Sequence, residues 1–309
     1  MKIKIVTNCT ARKAYPPIAA LRARSLPRGT IASLAKEWRR RVDAAPDRIV
    51  ASVLYQGRAF REAIKAARLA ETRLLIVSAG MGLIAETDRI PPYSLTASED
   101  HRDALKRRLG TPLSPSEWWT ALQLQGVFAK GLSDRIGSAR DSIFVLALSP
   151  AYLQLIGDDL SALTPSQVDR IRLVGPRRES DAPESLRRVL MPYDDRLDGA
   201  RSPIRGTESD FPQRATRHFV QAILSKPVSL DAEAHKTLVR RALQGWPRKK
   251  IVSRRRLPEK ELLKEVAAVL RECDGRWSRA LRRLRDQRKI ACKQERFRAI
   301  CKGILETRG

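Results

Sequence analysis

The sequence predicts an α/β protein: a mainly parallel sheet with helices on both faces, followed by a basic all-helical C-terminal domain. Three observations carry this expectation. Short, continuous apolar runs alternate with amphipathic stretches, the pattern of strands buried on both faces and joined by helices. Beyond residue 230 no strand pattern remains. The charge shifts at the same point: residues 231–309 hold 24 Lys and Arg against 10 Asp and Glu, while residues 1–230 hold 37 against 24. At 309 residues the chain exceeds the size at which one core stops growing, so two domains are expected, 1–226 and 231–309.

Taken in order, the strand-like runs are KIKIV (2–6), IVASVLY (49–55), RLLIVSA (73–79), SIFVLAL (142–148), IRLVG (171–175) and RRVLMPY (187–193). Helical patterns lie between them near 30–43, 58–70, 115–136, 150–160 and 212–225. Ligands of such sheets sit at the carboxyl ends of the strands. Three junctions fall there: TNCTARK (7–13), Ser78-Ala-Gly-Met-Gly82 and Ser149-Pro150. After residue 230, helices are expected near 231–244, 258–273, 276–287 and 293–306. Glu259 and Glu261 suit a first helical turn, and Gly275 suits the turn before the next helix. Trp277, Ala280, Leu281, Leu284, Ile290, Phe297 and Ile300 form the apolar side of two basic helices, a helix-turn-helix-like pattern. A small basic bundle packed on the first domain explains the same pattern.

The net charge is +27, which self-repels in a folded chain and is usually matched by a polyanion. Nucleic acid is the commonest such partner. RKKIVSRRR supplies Arg248, Lys249, Lys250, Arg254, Arg255 and Arg256 as phosphate contacts, and the following helices add Arg279, Arg282 and Arg283. No apolar run approaches the ~20 residues of a membrane span. MKIKIV runs directly into a strand without a signal-peptide core, so a cytoplasmic location is expected. The four cysteines, Cys9, Cys273, Cys292 and Cys301, lack CxxC spacing and read as reduced thiols rather than zinc ligands.

The chain has no GxxxxGK[ST], GxGxxG, HExxH or GxSxG motif, and neither metal nor cofactor is expected. His101, His218 and His235 are scattered and read as surface or capping residues. DDRLDG (194–199) reads as an Asp- and Gly-rich turn in preference to a magnesium site. At the first junction, the Asn8 amide can read a base edge or hold a water. Arg12 and Lys13 suit a phosphate or a developing negative charge. Cys9 reads as a buried structural thiol, with a nucleophile activated by those cations as the alternative. LYQGRAF contributes Tyr55, Gly57 and Phe60; the later loop contributes Ser78, Gly80, Gly82 and, through the stiff PPY turn, Tyr93. The three aromatic rings offer faces on which a base can stack, although each alone is more often core.

Together, the Cys9-to-Lys13 tip, LY-x-G-x-x-F and SA-x-x-GL…PY resemble a widespread bacterial and phage family. Its members look related to the peroxide-stress YaaA-like proteins and, more distantly, to the uracil-DNA glycosylase fold. The resemblance covers residues 3–96. It implies that Asn8 holds the attacking water of a glycosylase, and that Ser149 and Pro150 stand where a His-Pro-Ser-like loop grips the DNA backbone. The histidine of that loop and the GQDPY-type loop are absent here. The expected function is therefore a DNA glycosylase that excises a modified base from double-stranded DNA by hydrolysing its N-glycosidic bond, in the setting of phage defence. The alternatives are a non-catalytic DNA-binding sensor and a nucleotide-modifying enzyme of a deazapurine pathway.

Overall fold

A computed structural model describes residues 2–96, 102–109, 114–128, 130–225, 231–248 and 253–306. The chain divides into two compact units, Met1–Lys249 and Lys250–Gly309. In the first unit the strands are β1 (Lys2–Asn8), β2 (Ile49–Val50), β3 (Leu74–Ser78), β4 (Gly82–Ala85), β5 (Arg89–Ile90), β6 (Ser142–Ala147) and β7 (Ile171–Leu173). Five form one sheet in the order β4-β3-β1-β6-β7, parallel except for β4, while β2 pairs with β5.

The continuous apolar strands follow from burial on both faces. Along β6, Phe144 and Leu146 enter a core with Trp38, Trp118 and Leu122. Ile143 and Val145 enter another with Phe211, Ala215 and Phe219. Alternate side chains thus serve opposite layers, and β1 at the sheet's centre places its tip between them.

Three expectations about elements change. IVASVLY holds only the two residues of β2 before Ala51–Leu54 turns helical. RRVLMPY holds the end of a 3-10 helix, Glu184–Val189, and Leu190 makes a single bridge to Leu173. β4 arises where a loop was expected. Gly82 turns the chain at φ +70°, and a Cβ there stands 1.7 Å from the Phe128 ring, so only glycine fits.

The domain boundary also moves, from the expected 226–231 to Lys249. The reason is the helix Ala232–Ala242, capped by Asp231, which buries Val239 with Phe211 and Phe219 of the first unit. His235 is 2% exposed, and its Nδ1 accepts from Arg172 Nε at 2.8 Å. It is therefore a buried tie between that helix and β7, not a surface residue. His218 is half-buried, with Nδ1 2.8 Å from the Tyr193 hydroxyl; His101 lies outside the described residues. DDRLDG is a 3-10 turn, with Asp194 accepting from Arg196.

Burial and the adjacent Arg172 lower the His235 pKa from 6.5 to about 4. The unfolded chain therefore takes up this proton first, and the stability held above pH 6.5 is lost as pH falls towards 4. The expected loss from this one group is about 3 kcal/mol. Urea denaturation of His235→Gln, whose amide oxygen can still accept from Arg172, should show a smaller acid-induced fall than the parent chain. Equal falls in both would remove His235 as the cause.

The second unit has helices Glu259–Glu272, Trp277–Asp286 and Gln294–Glu306, close to the expected spans. Leu262, Val266, Ala280, Leu284, Ile290, Phe297 and Ile300 share its core. Asp274 and Gly275, both at positive φ, make the tight turn between the first two helices. Among the described residues no helix is long and apolar enough to cross a membrane.

Candidate functional site

At the carboxyl ends of β1, β6 and β7 lies an open cleft of about 1200 Å³. Asn8, Cys9, Ser149 and Tyr152 contribute to its lining, and Arg12, Arg58, Arg177 and Arg178 bring four cations to it. Asp181, Glu208 and Asp210 supply carboxylates.

Asn8 ends β1 and cross-links three segments. Its Nδ2 donates to the Cys9 carbonyl at 3.1 Å. Its Oδ1 accepts from the Ser149 backbone N–H and from Gln213 Nε2, each at the long distance of 3.4 Å. Gln213 Nε2 is shared with Thr7 Oγ1 at 3.1 Å and the Ala147 carbonyl at 3.2 Å. The amide is thus oriented by its short bond, while its oxygen is only loosely engaged.

Cys9 is 5% exposed, and its Sγ lies 3.0 Å from the Tyr152 hydroxyl and 3.6 Å from that of Tyr93. Behind it, Tyr93 bonds Ser78 Oγ at 2.6 Å and the Tyr55 hydroxyl at 2.8 Å. Burial, and then the neighbouring Cys9, push the Tyr93 and Tyr152 phenols well above their ordinary value, so both remain O–H donors at neutral pH. Lys13 Nζ sits 4.3 Å above the Tyr93 ring and donates to the Thr10 carbonyl at 3.2 Å. Burial lowers its pKa. Thr10 Oγ1 bonds the Arg12 and Gln56 carbonyls at 2.9 Å each, pinning this loop to the segment before Gly57.

One wall is held by a buried charge cluster. Arg214 is wholly buried, 2.6 Å from Asp210 and 2.8 Å from Asp198. Arg58 reaches Asp210 at 3.3 Å. Arg177 reaches Asp198 at 2.9 Å and lies 4.1 Å over the Phe211 ring.

Of the residues expected at a site, Asn8, Cys9, Arg12, Gly57 and Ser149 do line the cleft. Gly57, at φ +111°, lets the chain turn into helix Arg58–Leu69 beside it. Lys13 instead braces the loop from behind. The expected stacking faces are interior: Tyr55 is 1%, Phe60 3% and Tyr93 0% exposed. Ser78, wholly buried, accepts from the Met81 N–H and caps the turn that Gly80 and Gly82 complete. Gly80 is packed against Tyr93 and Trp38, whose indole donates to the Gly80 carbonyl. These residues support the tip of β1 rather than meet a ligand.

The expected DNA contacts also sort. Arg248 pairs with Asp195 at 3.0 Å and Asp194 at 3.3 Å. Arg254 pairs with Asp286 at 3.0 Å and Arg283 with Glu272 at 2.8 Å. Arg255, Arg256, Arg279 and Arg282 are exposed. Lys249 and Lys250 lie outside the described residues.

Sequence reasoning missed Tyr152, Arg58, Arg177 and Arg178 as cleft residues, together with the Arg214 cluster. SPAY already placed Tyr152 one turn past a strand tip. GPRRES follows the last strand directly, so strand-tip logic extended to it finds the arginine pair. Nothing in FPQRA marks Gln213 as a partner of Asn8, since the contact joins positions far apart in the chain. Among the described residues no three His, Cys, Asp or Glu side chains gather as metal ligands do. No family model, curated protein or solved structure matches the chain.

Proposed function

We propose that the protein is a DNA glycosylase of uracil-DNA glycosylase-like layout, acting on a modified base in double-stranded DNA in the cytoplasm. The observation that carries this reading is the oriented Asn8 carboxamide beside the Cys9–Tyr152 pair, within a cleft to which four arginines contribute. A cleft of about 1200 Å³ accommodates a nucleotide turned out of the stack, which such chemistry requires. The water oxygen bonds to C1′ of the sugar, the C1′–N bond breaks with its electron pair passing to the base, and the water's proton ends on the base. Asn8 Oδ1 orients the water. Tyr152 O–H and Arg12 face the negative charge that develops on the departing base. Arg178 meets a phosphate, and Arg58 and Arg177, fixed in place by Asp210 and Asp198, offer their remaining N–H groups beside it. The resemblance of residues 3–96 to the YaaA-like and phage family points the same way.

A second reading is a sensor that binds a flipped base without cutting. It is favoured by one observation: Asn8 Oδ1 already receives two N–H groups. Incubation with plain and phage-derived genomic DNAs, followed by alkali, separates the two. Alkali-dependent breaks on one class of modified DNA are expected. Tight binding with no abasic sites on any DNA overturns excision and leaves the sensor.

A further inference from the structure

We propose that the helix Trp277–Asp286 is the element of the second unit that enters the major groove of duplex DNA, through Arg279 and Arg282. The inference rests on the DNA-binding half of the reading above and not on base excision.

Some arginines of this unit are engaged, while others, Arg255, Arg256, Arg279 and Arg282 among them, are exposed. Arg254, Arg283 and Arg288 are engaged: with Asp286, with Glu272, and with both Glu265 and Glu272. Arg285 donates to the Cys292 carbonyl at 2.9 Å. These arginines brace the unit. Arg279 and Arg282 are exposed and, among the described residues, pair with no carboxylate. They stand one turn apart beside a concavity of about 300 Å³ that Arg283, Asp286 and Gln287 complete.

The opposite side of the same helix is anchored by Ala280 and Leu284, both 0% exposed. The basic face therefore points outward by construction, not by chance rotation of a loose segment. Like charges at i, i+3 and i+4 destabilise a helix; Arg279 stands so to Arg282 and Arg283, while Glu272 pairs with Arg283 and Asp286 is taken by Arg254. A polyanion removes that repulsion. The helix Glu259–Glu272 carries the acids Glu259, Glu261, Glu265 and Glu272 along its length and is unsuited to the same task. A helix with its side chains is about 10–12 Å across, and the major groove of B-DNA is about 12 Å wide. Arginine at such a position grips phosphate or reads guanine.

The test uses the full chain and a short fluorescent DNA duplex, with affinity followed across a salt series. Arg279→Ala with Arg282→Ala should weaken binding at least about 10-fold and lower the slope of log affinity against log salt by about 1–2. Lys260→Ala with Lys264→Ala, on the helix with mixed charge, should stay within about 3-fold and keep the slope. Both double variants alter exposed side chains, and matched circular dichroism and thermal midpoints verify the fold. Unchanged affinity and slope in the arginine variant overturn the inference, as does a parent chain that binds no duplex. Equal affinity of the parent chain for an RNA duplex of the same sequence also overturns it, because the A-form major groove is too deep and narrow. Loss of binding in the arginine variant, with no abasic sites from the parent, keeps this inference and removes excision. Parent-like binding with excision intact does the reverse.

Discussion

Arg214→Ala is expected to cost about 3–5 kcal/mol of stability, the range for removing one partner of a buried ion pair. The guanidinium is fully enclosed, with Asp210 Oδ1 2.6 Å from Nε and Asp198 Oδ1 2.8 Å from Nη2. It also donates to the Ile204 carbonyl at 2.8 Å and the Thr207 carbonyl at 2.9 Å. Alanine leaves two carboxylates, each under 10% exposed, facing one another across the vacated space. Arg58 and Arg177 stay attached to them, which sets the loss below that of bare buried charges. Because the segment 207–212 forms a cleft wall and runs into Gln213, the damage should reach function as well: if the cleft binds DNA as proposed, affinity should fall together with the urea midpoint. Arg214→Lys keeps the charge but lacks the planar fork, and should recover only part of the loss. A cost below about 1 kcal/mol for alanine would show that the carboxylates find water, and the wall would then not depend on this cluster.

The expected architecture held where burial on both faces leaves an apolar run, unbroken in β3 and β6 and interrupted only by Lys4 in β1 and Arg172 in β7. It failed where an apolar run belongs to another element. IVASVLY is apolar because Ala51 and Leu54 pack inward from a single helical turn, and periodicity over so few residues does not separate that from a strand. β4 was hidden because its start is a glycine whose turn depends on Phe128, a residue distant in sequence. The site shows the same division. Asn8, Cys9 and Arg12 were legible because strand tips collect ligands. Tyr55, Phe60 and Tyr93 were expected to offer stacking faces because they follow strand tips, yet their rings are buried and the two tyrosine hydroxyls bond each other and Ser78. The arginines at the cleft and the buried cluster were not legible, because 58, 177–178, 198, 210 and 214 meet only after the sheet is assembled.

If the protein excises a base as proposed, Asn8→Ala should slow its release by about 10²–10³-fold, the effect of removing one oriented polar group from a transition state. On the same reading DNA affinity should stay within about 3-fold, since the arginines lining the cleft are untouched. Some stability is lost too, because Asn8 ties β1 to the Ser149 N–H and to Gln213, and about 1–3 kcal/mol accompanies loss of such a partly buried junction. Activity alone therefore does not distinguish chemistry from bracing. Gln213→Ala supplies the separation. It removes one of the two donors to Asn8 Oδ1 but leaves the bond from Nδ2 to the Cys9 carbonyl, which orients the amide. If Asn8 holds the water, freeing its oxygen should cost at most about 10-fold in single-turnover rate, while the buried glutamine site loses as much stability as Asn8→Ala. Equal rate losses in the two variants, tracking their stability losses, would make Asn8 a brace. Another group of the cleft would then have to orient the water, because the Asn8 oxygen would already be spent on the fold.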